Sequence, residues 1–217
     1  MRKHRVFDAF WVALTMAAIS GFINAYTYNT QGGRFAGAQT GNLIFLGLRL
    51  AEFKWLEAWS YCLPILIFGI GQLLIYVMKD WALSAGCPYH LLAIRVMMAL
   101  LFLAAVSAPV VDTDITISML ALFSSFQVEV FKRIGSIQYA NVMMTGNVKA
   151  GAYLLSEGFL SGNQVKIKQG MQRCAVLISF ILGIILSHYL SAFLEEFGLF
   201  LLFPPLLVIH KVIRQEK

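Results

Sequence analysis

In a chain of 217 residues, 59% hydrophobic and only 13% charged, no polar stretch is long enough to enclose a core of its own; soluble domains run to about 45 to 50% apolar and about 25% charged. That excludes a sizeable soluble domain and marks an integral membrane protein. The net charge of +6 would suggest nucleic acid in a soluble chain, but most basic residues here close apolar runs, where they set orientation across a bilayer.

The opening MRKHR has the look of a signal-peptide start, yet the run 10–28 is uncharged for 19 residues and long enough to span. Run 35–48 is uncharged for only 14 residues, a length typical of a re-entrant or buried segment. Run 58–78 gives 21 uncharged residues, and 91–111 spans if Arg95 snorkels to the nearer interface. Asp112 and Asp114 mark a polar turn. Run 115–131 then carries Glu129 near its end, 134–148 is a second short uncharged run of 15, and 174–194 is a clean span. The last, 197–212, is the weakest, with Pro204-Pro205 inside it and His210 and Lys211 at its end. Tyr26, Tyr28, Trp55 and Trp59 read as interfacial anchors. Cys62, Cys87 and Cys174 have no disulfide or CxxC spacing and read as small packing residues.

Two stretches are alike. Residues 31–52 (QGGRFAGAQTGNLIFLGLRLAE) and 135–156 (GSIQYANVMMTGNVKAGAYLLS) both lead into Thr-Gly-Asn and then an apolar run, at Thr40-Gly41-Asn42 and Thr145-Gly146-Asn147. A shift of 105 superposes the motifs, and one of 112 superposes Cys62 on Cys174, Phe68 on Phe180 and Gly71 on Gly183. The expected fold is therefore an all-α membrane protein with an internal duplication. It has six transmembrane helices plus two short TGN-initiated re-entrant half-helices in a single membrane domain, repeat 1 covering about 6–111 and repeat 2 about 112–217.

Charge placement tests this. If both short runs dip and both termini are cytoplasmic, Arg2, Lys3, Arg5, Lys79, Arg95, Lys132, Arg133, Lys149, Lys166, Lys168, Arg173, Lys211, Arg214 and Lys217 fall inside, against Arg34, Arg49 and Lys54 outside. That is fourteen against three, where two crossing runs would give eleven against six, and the positive-inside bias favours dipping. Three crossings per half is odd, so the halves are oppositely oriented, an inverted 3+3 repeat.

Irregular backbone inside a bilayer must be buried in protein or line a wet cavity. With Thr40 and Thr145 as N-caps, two half-helix N-termini, each worth roughly half a positive charge, would point toward mid-membrane and suit water, an anion or a carboxylate group. Gln39, Thr40, Gly41, Asn42, Thr145, Gly146 and Asn147 are the expected lining. The same residues could instead only cap and pack helices, and Gly33-x3-Gly37-x3-Gly41 has small-residue packing spacing. Asn24 and Glu129 precede the two dips at equivalent positions. Glu129 reads as a proton or solute contact or as an ion pair with Lys132 and Arg133. Gln39 and Gln127 offer amide hydrogen bonds to a solute or between helices, and His188 could titrate or be satisfied by a backbone carbonyl.

HExxH, GxSxG, CxxC and helix-spaced acid pairs do not occur. The expected function is a small-solute channel or secondary transporter of unknown substrate, with no metal, no cofactor and no nucleic-acid partner, only the lipid bilayer and the solute. A membrane-embedded enzyme using Glu129 or His188 and a structural or assembly protein stay open as alternatives, as does homo-oligomerisation.

The strings GFINAYTYNTQGGRFAGAQTGNLIFLGL and FQVEVFKRIGSIQYANVMMTGN, with the spacing between them, resemble the YoaK-type family of uncharacterised bacterial inner-membrane proteins over nearly the whole chain. The resemblance implies a multi-pass protein of the bacterial inner membrane with a domain of unknown function. The family's pattern often has aspartate where this chain has Asn24, so a proton or cation role at that position is not implied here.

Overall fold

The computed structural model describes residues 6–135 and 137–216; Arg2, Lys3, Arg5 and Lys217, used above to orient the chain, lie outside the described residues. The fold is helical: α1 Phe10–Thr30, α2 Gln39–Ala51, α3 Trp55–Ser84, α4 Tyr89–Ser107, α5 Thr113–Val130, α6 Met144–Ser161, α7 Gln164–Leu194 and α8 Phe203–Gln215. A 3-10 stretch, Glu195–Leu202, joins α7 to α8, and a hairpin of two-residue strands, β1 Arg133–Ile134 and β2 Ile137–Gln138, precedes α6.

Among the described residues, four helical stretches are long and apolar enough to cross a membrane: Phe10–Thr30, Trp55–Ser84, Tyr89–Ser107 and Gln164–Gln215. The last contains two of the runs expected from the sequence. Helix α5 is not among the four, because Asp114, Gln127 and Glu129 lower its hydropathy. At about 1.5 Å per residue, α3 is about 45 Å long and overshoots a hydrocarbon core of about 30 Å. Its apolar faces, with Leu66, Ile70 and Leu73 exposed, match those of α7, with Ile178, Ile181 and Ile185; hydrocarbon is the solvent such surfaces suit.

Close backbone approach sets the helix pairing. Helix α1 lies along α7: a Cβ at Gly21 would fall on the Phe180 carbonyl and one at Gly183 on the Ala18 carbonyl, while Ser179 Oγ donates to the Leu14 carbonyl at 2.7 Å. Residues 8–10, at the start of α1, lie beside 165–172 and residues 24–29, near its end, beside 180–188, so the two run parallel. Helix α5 lies along α3 in the same way. There, Gly71 faces Ser125, whose Oγ donates to the Phe68 carbonyl at 2.9 Å and accepts from Gln72 Nε2 at 2.7 Å. Helix α5 runs against α1: Gln127 Nε2 donates to the Met16 carbonyl at 2.7 Å, and Arg34, just past the end of α1, reaches Asp114 at the start of α5. The outlying helices α2 and α6 pack on α3 and α7, while α8 and the 3-10 stretch close over α4.

The larger of two core clusters among the described residues sets Met16, Phe22 and Ile23 of α1 against Met97 and Leu101 of α4, Leu120 and Phe123 of α5, and Leu199 and Leu206; the smaller joins Ala13 and Ala17 of α1 to Ile134, Tyr139 and Val176. Tyr26 belongs to the larger. It is fully buried, with its hydroxyl donating to the Glu196 carbonyl at 3.3 Å, so it is not an interfacial anchor; a ring on the inner face of α1 packs rather than floats. Tyr28, Trp55 and Trp59 are exposed, as anchors are. In the α2–α3 turn, hydrogen bonds from Lys54 and Arg49 hold the Glu52 carboxyl below its ordinary carboxylate range.

A methyl at Gly183 would be driven into the Ala18 backbone, a clash that side-chain motion cannot relieve. Overpacking of this kind costs about 1 to 3 kcal/mol or more. Gly183→Ala should therefore lower the melting temperature in detergent. Gly69→Ala, where an added Cβ meets nothing within 4 Å, should hold or raise it, because alanine is favoured in helices by about 0.5 to 1 kcal/mol. Equal losses in both would contradict the proposed α1–α7 contact.

Candidate functional site

Helix α1 stops where Gly32 and Gly33 take left-handed φ values of +73° and +72°, a conformation glycine adopts without steric cost. The residues between α1 and α2 are not helical, so the small-residue spacing of Gly33, Gly37 and Gly41 is not a helix-packing stripe. Arg34, only 3% exposed, anchors the turn. It donates to the Gln31 carbonyl at 2.9 Å, to Thr113 Oγ1 at 2.8 Å and to the Asp114 carboxylate.

Residues 35–38 then fold back beside α1 as a short non-helical dip. In an apolar interior an unpaired N-H costs several kcal/mol, and here four in succession are each taken by a side-chain oxygen. Phe35 N-H goes to Asn42 Oδ1 at 3.0 Å and Ala36 N-H to Thr27 Oγ1 at 3.2 Å. Gly37 and Ala38 N-H share Asn24 Oδ1, at 3.0 and 2.9 Å. Asn42 also donates to the Phe35 carbonyl at 2.7 Å and to Gln39 Oε1 at 2.9 Å, and Gln39 Nε2 donates to the Ala36 carbonyl at 2.9 Å. Asn24, Gln39 and Asn42 thus hold the dip in shape.

Helix α2 begins at Gln39 with Ala38 in the N-cap position, and α6 at Met144 with Met143 there. Thr40 and Thr145 are not the caps expected from sequence. Asn24 already satisfies the amides ahead of α2 from another helix, and the helix opens before the threonine is reached. Both threonines are exposed instead.

The second dip repeats the clamp. Asn147 accepts from Ala140 N-H at 3.5 Å and donates to the Ala140 carbonyl, seven residues back, as Asn42 does with Phe35. Arg173 adds a bond to Asn147 Oδ1 at 2.8 Å and another to the Gln138 carbonyl. The tie to the preceding helix is reversed in sense. Asn141, on the dip, donates to the Gln127 and Phe131 carbonyls at 3.0 and 2.9 Å, whereas Asn24, on α1, accepts from the first dip. The dips meet where a Cβ on Gly37 would lie 2.6 Å from Val142 Cγ1. Gly41 is required by the Phe35 ring, 2.8 Å from an added Cβ, but Gly146 meets nothing within 4 Å.

Beside the first dip is a cavity of about 380 Å³ between α1, the dip and α7, lined by Ala25, Tyr28 and Phe35 on one side and by Phe180, Ile184 and His188 on the other. It is open on one side: Asn24 is buried, whereas Tyr28, Asn29, Ile184 and His188 are exposed. Of the expected site residues, Asn24 and His188 reach this cavity; Gln39, Thr40, Gly41 and Asn42 lie just behind it. Gln127 is buried in a tie to α1, and Glu129 pairs with Lys132 and, at 3.8 Å, Lys79. Thr145 and Gly146 are exposed at the start of α6. Sequence reasoning missed Asn29, Phe35 and Ile184; Phe180 had one signal, its superposition on Phe68.

The N-terminal field of α2 is worth up to about 2 kcal/mol for an anion, and the amides nearest the cavity are already engaged by Asn24. Taking an ion out of water costs several kcal/mol. The first dip by itself therefore offers an ion too little to offset that cost. Among the described residues no three His, Cys, Asp or Glu side chains gather as a metal site.

Residues 12–212 match a protein family described as "Protein of unknown function (DUF1275)". No curated protein and no solved structure matches the chain.

Asn42→Ala strips partners from the Phe35 N-H and carbonyl and from Gln39, at about 1 to 3 kcal/mol for each group left unpaired. A large drop in melting temperature is expected, with Gly41→Ala also destabilising and Gly146→Ala neutral or stabilising. A stable Asn42→Ala protein would show that the clamp does not hold the dip.

Proposed function

We infer that this chain, which belongs to the DUF1275 family of proteins of unknown function, is a small-solute channel or secondary transporter of the bacterial inner membrane. The observation that carries this is the cavity of about 380 Å³ laid against a hydrogen-bonded stretch of non-helical backbone. Interrupted helices are tolerated at membrane depth where they line a cavity, and transporters place their sites there. Exposed Thr40 and Thr145, at the starts of α2 and α6, have no partner in hydrocarbon and suit a wetted path.

In this reading α2 and α6 are re-entrant, six other segments cross, and the chain is an inverted 3+3 repeat. The antiparallel run of α1 and α5, the matching seven-residue clamps and the paired packing of α1 on α7 and α5 on α3 all support it. The positive-inside count and the YoaK-type resemblance support an inner-membrane location with both termini cytoplasmic. Catalysis by His188 is the weaker reading, since the residues around the cavity include no carboxylate or thiol to work with it, and Glu129 faces lysines.

Two measurements test the proposal. Cysteines placed at Lys54 and Lys166 should react with an impermeant reagent from opposite sides of the membrane; reaction from one side rules out the inverted arrangement. In liposomes, solute flux should fall in Thr40→Val and Thr145→Val at unchanged melting temperature, whereas parallel loss of flux and stability would make both threonines structural.

A further inference from the structure

We propose that the cavity between α1, the first dip and α7 takes an uncharged solute built on an aromatic ring with a single hydrogen-bonding group, of the size of indole. This deepens the transport reading and rests on it for the solute's passage, though not for its binding.

The lining residues include no Asp, Glu, Lys or Arg, so a charged solute would give up part of its water without meeting an opposite charge among them. The walls are flat and apolar. Phe35 is stacked on Tyr28 with ring centroids 5.2 Å apart, Phe180 and Ile184 stand on the α7 side, and Ala25 and Ala38 leave the width between them. Such surfaces favour an inserted ring by offset stacking, and the volume lies in the range of small-molecule sites, which set mostly apolar walls against a few polar groups.

Few polar groups are left to meet the solute. Asn24 spends its oxygen on Gly37 and Ala38 N-H and its nitrogen on the Ser20 carbonyl. That leaves the Tyr28 hydroxyl, the Asn29 amide and the His188 imidazole, and none of the three makes a side-chain hydrogen bond among the described residues. They suit one ring N-H or hydroxyl.

The test uses the full chain in lipid nanodiscs with tritiated indole, measured against protein-free discs. Saturable binding is expected. Indole-3-acetate, an anion, and tryptamine, a cation, should need concentrations at least about tenfold higher to compete, a step of about 1.4 kcal/mol. Ala25→Phe and Ile184→Trp, which fill the cavity from different helices, should each weaken binding at least about tenfold with melting temperature retained. Uptake equal to that of empty discs, equal competition by the ions, or full binding in both filled variants overturns the proposal. Saturable binding without indole counterflow in liposomes supports this ligand class while removing the transport reading. Counterflow of a charged solute that is blocked by Thr40→Val, with no indole binding, overturns this proposal and keeps transport.

Discussion

Everything near the cavity depends on finding acceptors for backbone amides where there is no bulk water. Four consecutive N-H groups, residues 35–38, are met by Asn42, Thr27 and Asn24. None of these is a backbone carbonyl, so the usual ladder of a helix or sheet is replaced by three side chains drawn from the helices on either side of the break. That is why the dip has one shape, and why its polar residues are largely committed to the protein itself. An asparagine that accepts two amides and donates to a carbonyl has little left for a passing molecule.

The second dip meets the same constraint by a different route. A short hairpin supplies part of the pairing, Asn141 reaches out to the carbonyls at the end of α5, and Arg173 braces the clamp at Asn147. In the first dip, the 112-residue counterpart of Arg173 is Tyr61, which packs near Gly33 and stacks with Phe45. Under the proposed duplication the clamp asparagines have been kept while the bracing has diverged, leaving one dip beside an apolar cavity and the other beside a cation. Two such unlike environments suit different tasks.

Much of the fold was legible because hydropathy and periodicity are local. The long apolar runs became α1, α3, α4 and α7, and the short uncharged runs cover the non-helical segments and continue into α2 and α6. In Thr-Gly-Asn, the member with a visible structural role is the asparagine and not the threonine expected to cap. Capping is a local rule and pointed to Thr40 and Thr145; the asparagine's bond to a residue seven positions back has no sequence signature. Tyr26 was misplaced because aromatic residues near a run's end anchor or pack according to which face they occupy, which depends on neighbours far along the chain. The cavity was invisible for the same reason, since half its wall comes from α7. The Arg34 to Asp114 link could have been suspected only from an arginine beside a glycine turn in an otherwise apolar stretch.

That link joins residues 80 positions apart, and the bond from Ser179 to α1 joins residues 165 apart. Contacts so distant in sequence are slow to form, and here they also fix an order of events. During synthesis, residues 14 and 34 are made long before their partners at 179 and 114, so both contacts wait for later parts of the chain. A product released after the first hundred or so residues would have neither contact, and the Gly21 face of α1 that α7 covers would lie open.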